Sequence, residues 1–194
     1  MPDKSAHKER TRARILDEAA KALRELGHER IGVADVMKRA GLTHGGFYAH
    51  FKNRDDLIAA TIDRAFEDSR AMVARNSRPG DPRASLSSLI DDYLSDGHRR
   101  KSGTGCPVAA LGSEAARMPE PARSRFEQGM GGLRGAFIRG LTELGAEDPE
   151  AMAASAVAEM IGALTLARAT SDNAKANKLL ERSRDQLKRR LGLT

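Results

Sequence analysis

Residues 33–54, VADVMKRAGLTHGGFYAHFKNR, constrain this chain more than any other stretch. Val33, Val36, Met37 and Ala40 fall at i, i+3, i+4 and i+7, the apolar face of a short helix. Gly41 follows at once, where a helix end favours the residue that enters the left-handed region without strain. Leu42 plugs the corner, and Thr43 is a good N-cap for a second helix. In that second helix Phe47 and Phe51 turn inward, four apart, leaving Thr43, His44, Tyr48 and His50 for the outside. Two short helices crossing at a glycine corner, the second with a polar and aromatic outer face, form a helix-turn-helix suited to the major groove.

The rest of the chain reads as helix too. Ile15, Leu16, Ala19, Ala20, Leu23 and Leu26 make a first helix closed by Gly27, behind a polar start expected to fray. A longer helix runs on from an Asn53 cap to the Pro79-Gly80 turn. Asp81-Pro82 and Asp148-Pro149 each pair an N-cap with proline at the first helical position. Residues 99–105 read as a loop, followed by a short helix from Cys106-Pro107 to about Arg117. A helix marked by Phe126, Met130, Leu133 and Phe137 holds Gly129, Gly131, Gly132, Gly135 and Gly140, so it must either pack closely or deform. Leu179, Leu180, Leu187 and Leu191 lie on a charged last helix stopped by Gly192. No strand pattern appears. The fold class is all-α: a three-helix DNA-binding domain (1–54) joined to a larger helical domain for effector binding and dimerisation (55–194).

The formal charge of +6 leans toward an acidic partner. It is not concentrated, however, since residues 1–60 hold 12 Lys and Arg against 9 Asp and Glu. Charge therefore supports DNA binding only modestly. No apolar run is long enough to span a bilayer and none resembles a signal peptide, so a cytoplasmic location with no membrane partner is expected. The single Cys106 excludes an internal disulfide and a cysteine-rich zinc site, and no motif calls for a cofactor or metal.

The opening helix TRARILDEAAKALRELG, the segment VADVMKRAGLTHGGFYAHFKNRDDL and the all-helical remainder resemble the TetR/AcrR family of bacterial transcriptional regulators. The resemblance rests on the spacing of Gly41, Gly45, Tyr48, His50, Phe51 and Arg54, and covers about the first third of the chain. It implies a homodimeric repressor that binds an inverted-repeat operator in double-stranded DNA and is released by an effector. It also implies DNA contacts at Thr43, His44, Gly45, Tyr48, His50 and Lys52. Tyr48, His50 and Lys52 would hold phosphates, fixing register without reading sequence. His44 is the best candidate for a base edge. Two positions depart from the family pattern: Gly46 where a base-touching side chain is usual, and Gly32 where a capping Ser or Thr is common. Direct readout then shifts to His44 and Tyr48, or to DNA shape.

Cys106 stands at a helix start, where backbone N–H groups favour an anion and make a thiol more nucleophilic, and the basic run His98, Arg99, Arg100 and Lys101 lies upstream. The segment GCPVAALGSEAARM also resembles a TetR subgroup whose cysteine senses electrophiles or oxidants. Plain packing of a small residue explains the same cysteine. An apolar effector pocket is expected from Phe66, Tyr93, Leu111, Met118, Phe126, Met130, Phe137 and Met160, favouring a small apolar or electrophilic effector. The dimer interface is expected on Ala153, Val157, Met160, Ile161, Leu164, Leu180 and Leu187, although intramolecular packing gives the same pattern. Two other classes fit less well. A cysteine-dependent enzyme would lack an oriented base near Cys106, and a helical interaction module would lack the steep salt dependence of DNA binding.

Overall fold

A computed structural model describes residues 4–194; among them nine α-helices and three 3-10 turns account for all regular structure. The helices are α1 Lys4–Leu26, α2 Val33–Arg39, α3 Arg54–Asn76, α4 Pro82–Tyr93, α5 Asp96–Arg100, α6 Pro107–Leu111, α7 Glu120–Glu143, α8 Pro149–Ala169 and α9 Asn173–Arg190. The polar start expected to fray is helical from Lys4, and residues 1–3 lie outside the described residues.

Local signals set the helix ends. Gly27, Gly41 and Gly192 adopt φ of 82°, 66° and 64°, the left-handed stops their positions required. Asp81 and Asp148 accept from Ala84 N and Ala151 N, each at the head of a helix with proline in its first turn. Asn53 Oδ1 accepts from Asp56 N at 2.8 Å, while Asp56 Oδ2 accepts from Lys52 N at 3.0 Å. This reciprocal cap opens α3.

The chain divides into two compact units that do not follow the expected cut at residue 54. The first comprises residues 1–67 and 102–129, the second residues 68–101 and 130–194. In the first, Ile15, Leu23, Val36, Met37, Phe47, Phe51, Leu57 and Ile58 form a core to which Leu111, Met118 and Phe126 also belong. The returning segment is tied down through Glu114, whose carboxylate accepts from the His28 backbone N–H and pairs with its Nδ1, both at 2.9 Å. Burial pushes the Glu114 carboxyl up, but these two bonds and the nearby His28 and Arg117 charges outweigh it and hold the carboxyl below its ordinary range. The expected continuous helix from Cys106 to Arg117 is instead α6 and a 3-10 turn at Ala115–Arg117. Between them Glu114 turns to meet His28.

Two of the glycines in α7 are explained by close packing. A Cβ at Gly129 would fall inside the Phe66 ring, and one at Gly140 would lie 2.9 Å from Leu86 Cδ1. Gly131 and Gly132 face open space.

In the second unit α8 packs on α9 and on α4. Residues 99–105, expected as a loop, are partly ordered in α5 and a 3-10 turn at Ser102–Thr104. Ser95 caps α5, accepting from His98 N, and Arg168 donates to the carbonyls of His98 and Arg99 at the other end. His98 is buried against Tyr93, its ring edge-on at 4.8 Å, and Nδ1 meets the Tyr93 carbonyl at 2.7 Å. Burial lowers its pKa to about 4 despite that bond.

Because His98 binds its proton less readily folded than unfolded, its contribution is complete above pH 6.5 and is lost as pH falls toward about 4. The depression corresponds to roughly 3 kcal/mol. Urea unfolding at pH 7 and pH 4.5 should show a smaller acid-induced loss for His98→Gln than for the wild-type chain. Equal losses would place the acid sensitivity elsewhere.

Candidate nucleic-acid interface

The recognition segment His44–Ala49 is a 3-10 turn rather than the expected α-helix. Its first bond runs from Gly46 N to Thr43 O at 3.1 Å, the tighter i to i+3 spacing. Two consecutive glycines carry no helix preference to oppose that tightening. Thr43 stands at the cap position with extended backbone, but its hydroxyl makes no capping bond, contrary to expectation. The residue is exposed.

Phe47 and Phe51 anchor the segment. Both are buried, stacked at 5.6 Å between centroids, and packed into the same core as Val36 and Met37 of α2. That pins the opposite face outward. Tyr48 is 69% exposed, with its ring edge-on to Phe47 at 5.2 Å and to His44 at 6.4 Å. Thr43, His44, Gly45 and Lys52 are exposed as well, so five of the six expected DNA contacts share open surface. Nothing lies within 4 Å of where a Gly45 Cβ would stand, leaving the backbone there approachable. At Gly46 a Cβ would meet only Met37 Cε, at 3.6 Å, an ordinary contact. The missing side chain is therefore not demanded by packing.

His50, the sixth, is half-buried, and its Nδ1 is buried with no hydrogen-bond partner among the described residues. Burial lowers its pKa, and the neighbouring charges of Lys8 and Arg12 lower it further. Both effects favour the neutral ring, in which one nitrogen can donate a hydrogen bond. Arg12 sits with its guanidinium carbon 5.0 Å from the Phe51 centroid, a cation–π placement. Sequence reasoning missed Lys8 and Arg12 because the start was read as frayed. The signal was present: Lys8, Thr11, Arg12, Ile15, Leu16 and Ala19 continue one helical stripe backward.

Arg54, noted only as a motif position, proves to be a clamp. Its Nε donates to the Ile31 carbonyl at 3.2 Å, and its Nη2 to the carbonyls of His28 and Glu29. It fixes the turn between α1 and α2, and with it the angle at which α2 supports the recognition segment.

Cys106 is 5% exposed and occupies the cap position of α6, a helix of five residues. The basic run upstream is largely engaged elsewhere. His98 pairs with Tyr93, Arg99 with Asp96 and Asn173, and Arg100 with Asp96. The eight residues expected to line one pocket divide between the units. Phe66, Leu111, Met118 and Phe126 are buried in the first unit, and Tyr93, Phe137 and Met160 in the second, while Met130 is 41% exposed. None of them lines the cleft of about 180 Å³ that the second unit forms among Val73, Arg78, Leu86, Leu89, Arg139 and Gly140. That volume is below what a drug-sized ligand needs.

Most of the residues expected at a dimer interface are buried within the chain. Ala153, Met160, Leu164, Leu180 and Leu187 are at most 2% exposed within the chain itself, because α8 and α9 bury them against each other and against α4. Val157 and Ile161 are half-buried. The face that α8 leaves open carries Ala154, Ala158, Thr165 and Leu166, the last 60% exposed.

Residues 15–61 match the family of bacterial regulatory proteins, tetR family. Residues 82–180, half of the chain, match the C-terminal domain of LmrA/YxaF-like transcriptional regulators. The chain belongs to the TetR family. The proteins that these two family models describe are transcriptional regulators. Among its relatives, the regulator TtgR of Pseudomonas putida is 33% identical over 82 residues, 41% of this chain and 39% of TtgR. YfiR of Bacillus subtilis is 26% identical over 102 residues, 53% of this chain and 49% of YfiR. The chain thus matches half or less of the length of these two curated relatives. YxaF of Bacillus subtilis matches more evenly, 24% identical over 73% of this chain and 75% of its own. Two solved structures share the fold: a TetR regulator from Chloroflexus aurantiacus (TM-score 0.81, 24% identity, 94% of each chain) and Escherichia coli NemR in its reduced form (TM-score 0.79, 19% identity, 92% and 96%).

The Arg54 clamp of this TetR-family chain is testable by stability alone. Charge-assisted hydrogen bonds contribute roughly 1.5–3 kcal/mol each, so Arg54→Met should lower stability by about 2 kcal/mol or more. Arg54→Lys should recover little, because one ammonium cannot span the carbonyls the fork reaches. Denaturant unfolding of the three proteins decides it; wild-type stability in Arg54→Met would remove the clamp.

Proposed function

We propose that the chain is a repressor that binds an inverted-repeat operator as a homodimer and leaves it when an effector binds or Cys106 is modified. Residues 1–54 read DNA, and residues 55–194 pair the subunits and respond to the effector, in the cytoplasm. The observation that carries this reading is the recognition segment, where buried Phe47 and Phe51 force Tyr48, His44 and Thr43 outward beside backbone left bare at Gly45. Tyr48, His50, Lys52 and the Thr43 hydroxyl take phosphates, and His44 reaches a base edge. With glycine at position 46, DNA shape carries part of the specificity.

The open face of α8 supports pairing. It is apolar yet exposed: contrary to the expectation that no apolar run reaches the length of a bilayer span, α8 does so by length and composition, with only 33% of its most apolar stretch buried within the chain. A second copy laid against Ala154, Ala158 and Leu166 accounts for that surface. Small residues there allow close helix approach. Leu166→Glu should convert the dimer to a monomer in analytical ultracentrifugation while leaving the helical spectrum intact; an unchanged dimer would move the interface elsewhere.

The effector is small and either apolar or electrophilic. Support for the electrophilic arm is the placement of Cys106 at the head of α6, and the likeness of fold to NemR, a protein solved in a form described as reduced. A buried thiol reacts only through local opening, so modification should be slow and should loosen α6.

Selection of bound fragments from a random DNA pool, with and without a thiol-reactive electrophile, tests the whole reading. An inverted repeat should be enriched and then lost on treatment, and Cys106→Ser should bind but resist release. A repeat that survives treatment of the wild type overturns the cysteine arm; no enrichment at low salt overturns DNA recognition.

A further inference from the structure

Two cations of α1 stand beside the recognition segment without a role. Lys8 and Arg12 are one helical turn apart, on the same face of α1, and lie ahead of residues 15–61 that match the family's DNA-binding region. Neither has a carboxylate partner among the described residues, in a chain where most Arg residues of the second unit's α5 and α3 end are paired. Both act on His50 strongly enough to oppose its protonation, and no carboxylate acts on that ring in the opposite sense. Arg12 is also held in place, its guanidinium seated on the Phe51 ring. A long cationic side chain fixed in this way gives up less rotamer freedom when it meets an anion. His50 completes the cluster: its Nδ1 is buried with no hydrogen-bond partner among the described residues, so Nε2 is the nitrogen left to meet a phosphate.

We propose that Lys8, Arg12 and His50 form a single DNA-phosphate site in which α1 supplies the charge and the neutral imidazole supplies a directed hydrogen bond. The site rests on the DNA-binding reading above and extends the interface beyond the helix-turn-helix onto the first helix. It fixes register and reads no sequence. Nothing in its geometry requires the operator. The ligand is a backbone phosphate of duplex DNA of any sequence, and its strength follows salt.

The test is fluorescence anisotropy of the full-length protein with a labelled mixed-sequence duplex of about 30 base pairs, titrated across salt concentrations. Lys8→Gln and Arg12→Gln should each make the plot of log affinity against log salt shallower, by up to about 0.9 per phosphate lost. The double variant should lose little more than one phosphate's worth per subunit, because both cations serve one site. Arg12→Lys keeps the charge and should restore the slope. His50→Leu removes a neutral donor, so it should weaken binding severalfold while leaving the slope unchanged. Lys178→Gln, an exposed change on α9, controls for net charge. Slopes and affinities of the α1 variants matching that control would overturn the site while leaving DNA binding intact. A wild-type protein that ignores the duplex at low salt would overturn the DNA-binding reading and the site with it.

Discussion

The first unit is organised around a buried guanidinium. Arg24, near the end of α1, is 6% exposed and donates to the Gly103 carbonyl at 2.7 Å, the Ala65 carbonyl at 2.8 Å and the Ala20 carbonyl at 3.3 Å. A buried charge is costly unless its donors are satisfied, so the three carbonyls must stay where the fork can reach them. They belong to α1, to α3 and to the turn that leads to Cys106. One side chain thereby fixes the frame from which α2 and the recognition segment project. Arg54 repeats the device at the next turn of the chain, and the Glu114–His28 pair adds a third tie. In each case a charged group satisfies backbone atoms distant in sequence, and apolar packing fills in around it.

These ties show where sequence reading succeeds and where it stops. Gly27, Gly41, Asn53, Asp81, Asp148 and Gly192 were legible because a cap depends on three or four neighbouring residues. Phe47 and Phe51 were legible as an inward pair for the same local reason. Arg24 and Arg54 were not, since nothing in a sequence says which distant carbonyls a guanidinium will find. The burial of α8 was illegible for a different reason. That helix is apolar nearly all round, so periodicity marks no single face, and which side meets α9 is decided only by packing. Five of the seven residues expected to meet a partner subunit, Ala153, Met160, Leu164, Leu180 and Leu187, are buried within the chain itself.

On the DNA-binding reading proposed above, the recognition surface separates holding from reading. Exposed polar groups are plentiful on it, His44 and Tyr48 are its exposed rings, and Gly45 and Gly46 carry no side chain. On the same reading His50 belongs with the holding groups: burial and the Lys8 and Arg12 charges lower its pKa, so it would supply geometry more than charge. A surface built this way gains affinity from position along the duplex and discriminates by how willingly a given duplex conforms to it.

The packing of Gly129 against Phe66 carries a consequence beyond this chain. Because a Cβ at 129 would occupy the space of the aromatic ring, the two positions are one volume shared between α7 and α3. Related proteins that diverge at this contact are free to move the bulk from one helix to the other but not to place it on both. Their residues at these two positions should therefore drift together, large opposite small, and that joint drift would be the evolutionary imprint of a contact that no local pattern in either helix announces.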